Sequence, residues 1–443
     1  MADFSREVGH CCRPELQELQ GPRLFHKAAD VRGNSIAQPL PNSGSVFLTE
    51  VDAVAGATSV DTTAPHSTPQ HLDSGRARLG VTDSPATRAE TRLDTVTHPT
   101  IGFFTRLLDR VPDADRYRHA LEQIRHAEAF GFSSAWVAQH HFDGNEGGLP
   151  SPLVFLTAAA AQTSSIRLGT GIITLPLESP VRVAEDASVL DVLSGGRLDV
   201  GLGTGGTPSS FAPFGAVSEQ RATAYNHNLQ VLRTAWSGGA LSDDGQVLFP
   251  PARGLADRIW QATFSVSGGQ RAGAAGDGLM LSRTQPRPED APDATLPEIQ
   301  LPIVAAYLAA LPAGTTPRIM ASRSVFVADT REEATHFAQA AFERHLADRA
   351  GTGRPALAST VAEFLAGFDA HCGTADDVIA SLGADRTLDH ADQVSFQVHS
   401  IDPPHTHILR SIELVATEVA PALGWALSES ATAQKEPIHV TSA

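Results

Sequence analysis

From Thr100 onward the sequence alternates short apolar runs with long amphipathic ones, and a chain that repeats this pattern has few ways to bury both kinds of element. A strand covered on both faces reads as a short continuous apolar run, whereas a helix lying on a sheet carries one apolar stripe with a period near 3.6. Eight candidate strands follow one another: Ile101–Thr105, Ala135–Gln139, Ile166–Ile172, Leu198–Leu202, Thr263–Ser267, Gly278–Ser282, Ile319–Val327 and Gln393–His399. Helical patterns lie between or after them at Tyr117–Phe130, Pro152–Thr163, Val181–Leu193, Ala222–Trp236, Glu332–Ala350 and Ile408–Ala420. Eight strands with helical crossovers predict an α/β fold, a (β/α)8 TIM barrel, with a doubly wound sheet as the alternative. Gly131 and Gly195–Gly196 supply helix stops. The proline- and acid-rich stretch Arg283–Pro297 reads as a surface excursion after the sixth strand.

Residues 1–96 show no sustained period of 2 or 3.6 and are studded with breakers, which predicts a disordered low-complexity extension. One barrel domain at 97–427 and a second disordered tail at 428–443 complete the organisation. The formal net charge of −17 carries no basic block, which disfavours nucleic acid and anionic membranes as partners. No apolar run reaches the ~18 residues of a membrane span. Cys11, Cys12 and Cys372 cannot form a paired secreted framework, and the amino terminus lacks a secretory apolar core, so a cytoplasmic location is expected. Lys27 and Lys435 are the only lysines and both lie in the flanks, which removes Schiff-base chemistry from the barrel.

Three segments carry chemistry. In Trp136–Phe142, WVAQHHF, adjacent His140 and His141 on a strand would face opposite ways, and the spacing that brings two imidazoles to one metal ion is absent. A histidine at the carboxyl end of a barrel strand stands where such barrels place catalytic groups, and its ordinary pKa near ~6.5 suits proton transfer; a hydrogen-bonded wall histidine is the alternative. Phe104 and Phe142 adjoin strand ends as apolar pocket walls, with Gln139 beside them. Gly201–Ser210, GLGTGGTPSS, contains GXGXXG, but it follows the fourth strand and runs into Pro208, so it is not a dinucleotide fingerprint. It reads as a loop whose missing side chains let a flat ring approach the backbone. In Phe264–Ala275, FSVSGGQRAGAA, Ser267 is the expected N-cap, the amides of Gly268 and Gly269 would form an anion cup, and Arg271 could add a guanidinium fork. An ordinary capped turn is the alternative.

Together these segments, with SSIRLGTGIITLPLESPVRVAEDASVLDVLSGGRLDVGLGTGG, SFAPFG, HCGTADDVIASL and IELVATEVAPAL, resemble the bacterial luciferase-like flavin monooxygenases from about Ile101 to Leu423. The resemblance implies a (β/α)8 barrel, usually a homodimer, binding reduced FMN at its mouth. Residue by residue, His140 is similar to the family's catalytic histidine, with Gln139 in place of the usual glutamate. Gly203, Thr204 and Gly205 match the segment bordering the flavin, with Thr204 where luciferase has an arginine and Arg271 as the nearest substitute. Ser267 and Gly268, followed by Gly269, match the phosphate-binding turn, and Thr174 lies where the third strand passes the ring. The implied activity is monooxygenation of a small organic substrate by O2 through a flavin peroxy adduct, with FMN reduced by a separate reductase. An F420-dependent dehydrogenase or reductase, or a non-catalytic flavin-binding protein, is the alternative within the same resemblance.

Overall fold

Eight parallel strands close into a barrel in the computed structural model, which describes residues 98–428 except 253, 352–355 and 357. They are β1 (Thr100–Thr105), β2 (Ser134–Val137), β3 (Arg167–Thr170), β4 (Leu198–Gly203), β5 (Ile259–Ala262), β6 (Gly278–Leu281), β7 (Ile319–Val327) and β8 (Gln393–Gln397). Each pairs with the next, and β8 pairs with both β7 and β1, which closes the ring and excludes the doubly wound sheet. Short strands Ile173–Thr174, on β4, and Ala370–Gly373, on the end of β7, stand off the ring. Around it lie α1 (Asp113–Ala129), α2 (Pro152–Ala160), α3 (Pro180–Leu193), α4 (Arg221–Trp236), α5 (Val266–Ala274), α6 (Leu296–Ala310), α7 (Arg331–Gly351), α8 (Val361–Gly367), α9 (Ala375–Gly383) and α10 (His405–Leu414). The extension expected at 1–96 and the tail beyond Ser428 lie outside the described residues. No described helix is long and apolar enough to cross a membrane.

Two sequence expectations are corrected. The fifth strand is Ile259–Ala262, not Thr263–Ser267. Phe264 and Val266 alternate as strand residues do, but they are 54% and 50% exposed, and Ser265 turns the chain into α5 by accepting a hydrogen bond from the Gly268 amide at 3.1 Å. The excursion from Arg283 ends at Thr295, which forms a capping box with Glu298 at the start of α6. Its first residue is not on the surface: Arg283 is half-buried and donates to Ser324 Oγ at 3.3 Å.

Side chains alternate along each strand between the helices and the barrel interior. Outward Ile101, Phe103, Val137, Leu168, Val200 and Val394 join the helix-facing core, while Phe104, Trp136, Trp260, Met280 and Met320 cluster inside. The two indoles fit because each has glycine as its register partner on the following strand, Gly169 beside Trp136 and Gly278 beside Trp260. A Cβ at Gly169 would come within 2.1 Å of one indole, and at Gly278 within 2.3 Å of the other. The rings meet edge to face at 5.8 Å. Beyond them, the inward positions nearest the carboxyl ends of β2 to β5 are Ala138, Gly171, Gly203 and Ala262, with the Ile172 side chain packed over Gly203.

The loop after β1 is fastened by Asp109. Its carboxylate accepts from His399 Nε2 at 2.8 Å, meets His119 Nδ1 at 3.0 Å, and accepts from Gln123 Nε2 at 3.3 Å, joining the first loop to α1 and to the turn after β8. His119 and His405 stack at 3.9 Å with nearly parallel rings, so their planes cannot both contain one bound ion. Burial pushes the Asp109 carboxyl up, but hydrogen bonds from His399, His119 and Gln123, with the charge of His399, outweigh it and hold the group well below the usual carboxylate range. A depressed carboxyl stabilises the fold above its unfolded pKa, and that contribution is lost as pH falls through the folded value. Asp109→Asn should therefore lower unfolding free energy by on the order of 3 kcal/mol at pH 7, with the difference shrinking below about pH 4. Urea unfolding at pH 7, 5 and 3.5 checks this, and a loss independent of pH would contradict it.

Candidate active site

β2 ends at Val137, so Ala138–Phe142 cross the barrel mouth as a loop. His140 and His141 separate because the loop bends, with Phe142 in the left-handed region at φ 65°, rather than by strand alternation as expected. The His140 ring lies against Gly147, where a Cβ would come within 2.5 Å of it. Its Nδ1 faces Glu146 Oε2 at 3.8 Å, and the same oxygen accepts from Thr207 Oγ1 at 2.9 Å. His141 instead turns its ring toward Phe142 and Phe214, at 5.8 and 4.8 Å, in an aromatic lip whose phenyl rings are 71% and 44% exposed.

Two arginines that carried no motif complete this cluster. Arg106, the residue after β1, donates Nε to Gln397 Oε1 at 3.1 Å and NH1 to the Glu146 main-chain oxygen at 3.0 Å. Arg283, just past β6, donates to Ser324 on the neighbouring β7. The only signal for either was a charged residue at the carboxyl end of a barrel strand. Burial lowers the His140 pKa below its ordinary value, the facing Glu146 carboxylate opposes this, and the positive charges of Arg106 and Arg283 lower it further. The lowered pKa favours the neutral imidazole, the form that accepts a proton.

The other expected residues divide. Gln139 is buried and committed: Nε2 donates to Glu178 Oε1 at 2.6 Å and to the Pro150 oxygen at 3.1 Å, while Oε1 accepts from the Thr174 amide at 2.7 Å. It binds the β2 loop to the end of β3 rather than lining open space. Gly203 and Gly205 owe their missing side chains to their own neighbours, since a Cβ would meet Ile172 at 2.8 Å and Thr174 at 2.6 Å. Thr204 between them is half-exposed, and Phe104 forms part of the interior floor. At α5 the cap is Ser265, not Ser267, and the Gly268 and Gly269 amides are not free: they donate to the Ser265 hydroxyl and carbonyl. The first-turn amides without a hydrogen-bond partner among the described residues are those of Val266 and Ser267, beside the exposed Ser265 and Ser267 hydroxyls. Arg271 leaves this face altogether; it donates to Gln261 Oε1 at 2.9 Å and lies over the Tyr225 ring.

Residues 100–388 match the family model described as luciferase-like monooxygenase. The uncharacterized protein y4vJ of Sinorhizobium fredii is 32% identical over 37% of this chain and 49% of its own length. The 4-hydroxyprotoasukamycin monooxygenase of Streptomyces nodosus subsp. asukaensis is 38% identical over 27% of this chain and 32% of its own. The chain thus spans half or less of these curated relatives. Among solved structures, monooxygenase RslO1 from Streptomyces bottropensis is 27% identical with a TM-score of 0.60, covering 73% of this chain and 99% of that one. Two more distant structures share the fold. The oxygenating constituent of 3,6-diketocamphane monooxygenase from Pseudomonas putida, in complex with FMN, is 21% identical with a TM-score of 0.59 over 74% and 99%. The coenzyme F420 dependent tetrahydromethanopterin reductase from Methanopyrus kandleri is 20% identical with a TM-score of 0.52 over the same shares.

A neighbouring cation disfavours the imidazolium, so Arg283→Gln should raise the His140 pKa. An NMR titration of the His140 ring protons in both proteins tests this; an unchanged or lower value would show that Arg283 does not act on His140.

Proposed function

The chain belongs to the luciferase-like monooxygenase family, and on that premise we propose that it is a flavin-dependent monooxygenase using reduced FMN and O2 on a small organic substrate. The observation that carries this reading is the His140 imidazole held at the mouth against Glu146, whose main-chain oxygen holds Arg106. The residues fit a flavin at two points. The inward layer above the Trp136–Trp260 floor is small or apolar, with Ala138, Gly171, Gly203 and Ala262 flanked by Ile172 and Phe104, surfaces suited to a flat ring, and the Val266 and Ser267 amides at the positive end of α5 suit a phosphate.

When bound, reduced flavin supplies the electrons for oxygen chemistry. The chain's own groups do the rest. Val266 and Ser267, with the Ser265 and Ser267 hydroxyls, would hold the phosphate. Gln139 fixes the loop carrying His140 against Thr174. His140 directs Nδ1 at Glu146 and leaves Nε2 to take and return a proton at the substrate. Phe142 and Phe214 offer apolar surface at the rim. In this reading a separate reductase supplies the flavin and the enzyme works in the cytoplasm. The deciding experiment is anaerobic titration with FMNH2 and with reduced F420, followed by O2. Product formation only with FMNH2 and O2 supports the reading, and hydride transfer from F420 without O2 replaces it with a dehydrogenase.

His140→Ala should reduce turnover by ~10²–10⁴ while flavin affinity stays nearly normal. Single-turnover oxidation of pre-bound FMNH2, comparing product with released hydrogen peroxide, reads this directly; full coupling at the parent rate between pH 5.5 and 8.5 would remove His140 from the mechanism. The same reading includes a homodimer. Its support is an apolar stripe on α3 at helical spacing, Val189, Val192 and Leu193, the last two 62% and 61% exposed, with exposed Val154 on the adjacent α2. Leu193→Glu should shift the light-scattering mass from dimer to monomer, and a monomeric parent would end the proposal.

A further inference from the structure

Arg106 and Arg283 approach the mouth from strands three places apart around the ring, and both are held by the two strands between them. Arg106 hangs from Gln397 on β8 and Arg283 from Ser324 on β7, and these two fully buried anchors are register partners on neighbouring strands. Adjacent strands lie about 4.8 Å apart, so the two guanidinium groups are tethered side by side. Every anchor is neutral: a side-chain amide, a hydroxyl and the Glu146 main-chain oxygen.

Among the described residues neither arginine forms an ion pair; Asp402 and Glu146 attract Arg106, and Asp369 attracts Arg283, only from longer range. Elsewhere the fold treats a buried arginine differently. Arg323, fully buried outside the barrel wall, has Asp385 at 2.6 Å and the Gln300 amide oxygen at 3.0 Å. Burial lowers the Arg106 guanidinium to about 10, and burial together with the charge of Arg106 lowers Arg283 further from its ordinary value. The chain as a whole is acidic, with a formal net charge of −17, so this pair is a local exception and not part of a basic surface. Two tethered forks without a carboxylate are half of a charge-assisted hydrogen-bonding arrangement.

We propose that Arg106 and Arg283 form the subsite for a carboxylate on the substrate, placing an organic acid with an apolar body beside His140 and the Phe142–Phe214 lip. This rests on the proposed oxygenase reading and narrows its substrate class. The same cation pair would also suit the flavin's own phosphate, which the α5 turn is better built to take.

The test is calorimetric titration of the full-length protein with acetate, hexanoate and benzoate, each against its matching amide, and with FMN and riboflavin. At least one carboxylate should bind at least tenfold more tightly than its amide. Arg106→Gln and Arg283→Gln should each reduce that preference below twofold, Arg283→Lys should keep part of it, and FMN and riboflavin affinities should stay within twofold of the parent. The lysine variant retains the charge and guards against a folding defect. No carboxylate preference in the parent, or a preference that survives both glutamine substitutions, overturns the proposal. So does a loss of FMN affinity with riboflavin unaffected, which would make the pair a phosphate site. Failure of the parent to bind FMN or reduced F420 sinks the flavin reading instead, while the carboxylate comparison, read without cofactor, still decides this one.

Discussion

The architecture depends on filling the barrel interior with two indoles, and that is possible only because glycine stands beside each of them on the next strand. Trp136 over Gly169 and Trp260 over Gly278 occupy space that two side chains per level would otherwise contest. Close packing then follows with few other large groups: Phe104, Met280 and Met320 fill around the rings, and Arg318 lies over the Trp260 ring at 5.1 Å. Because so much volume is concentrated in this layer, the inward positions beyond it on β2 to β5 can be small. The mouth is thus lined on this side by small residues with Ile172 and Phe104 packed against them.

Around the mouth, polar side chains are either fully committed or pointedly uncommitted. Gln139 makes three hydrogen bonds and turns a loop into a fixed ledge, so His140 is placed by main-chain geometry, including the close approach of Gly147. Glu146 serves twice, its carboxylate facing His140 and Thr207 and its carbonyl holding Arg106. Burial lowers the pKa of the imidazole first, Glu146 opposes it, and the two arginines act with burial. Away from the mouth the opposite economy holds, with Arg323 on Asp385 and His399 on Asp109 paired at short range.

The barrel was legible because the hydrophobic period switches repeatedly between strand and helix, and seven of the eight strands could be found from that alone. The fifth was misplaced by four residues because Phe264 and Val266 continue a strand-like alternation past the true end, where only the Ser265 cap breaks it. Helix α5 was expected from its Ser-Gly-Gly opening, but its cap was placed two residues late because Ser267 and Ser265 offer the same hydroxyl, and α6 was obscured by Pro297 and Pro302. WVAQHHF pointed to the right loop. The glycine loop was recognised, but its glycines make room for Ile172 and Thr174. Arg106 and Arg283 were invisible because their meaning lies in partners 291 and 41 residues away, a relation that no local spacing encodes.

The solid floor also fixes a direction of traffic. With Trp136 and Trp260 stacked edge to face across the interior, and a guanidinium over one of them, nothing passes through the barrel along its axis. Anything that binds at the mouth must therefore enter and leave by the same face of the barrel, the one on which Arg106, His140 and Arg283 stand.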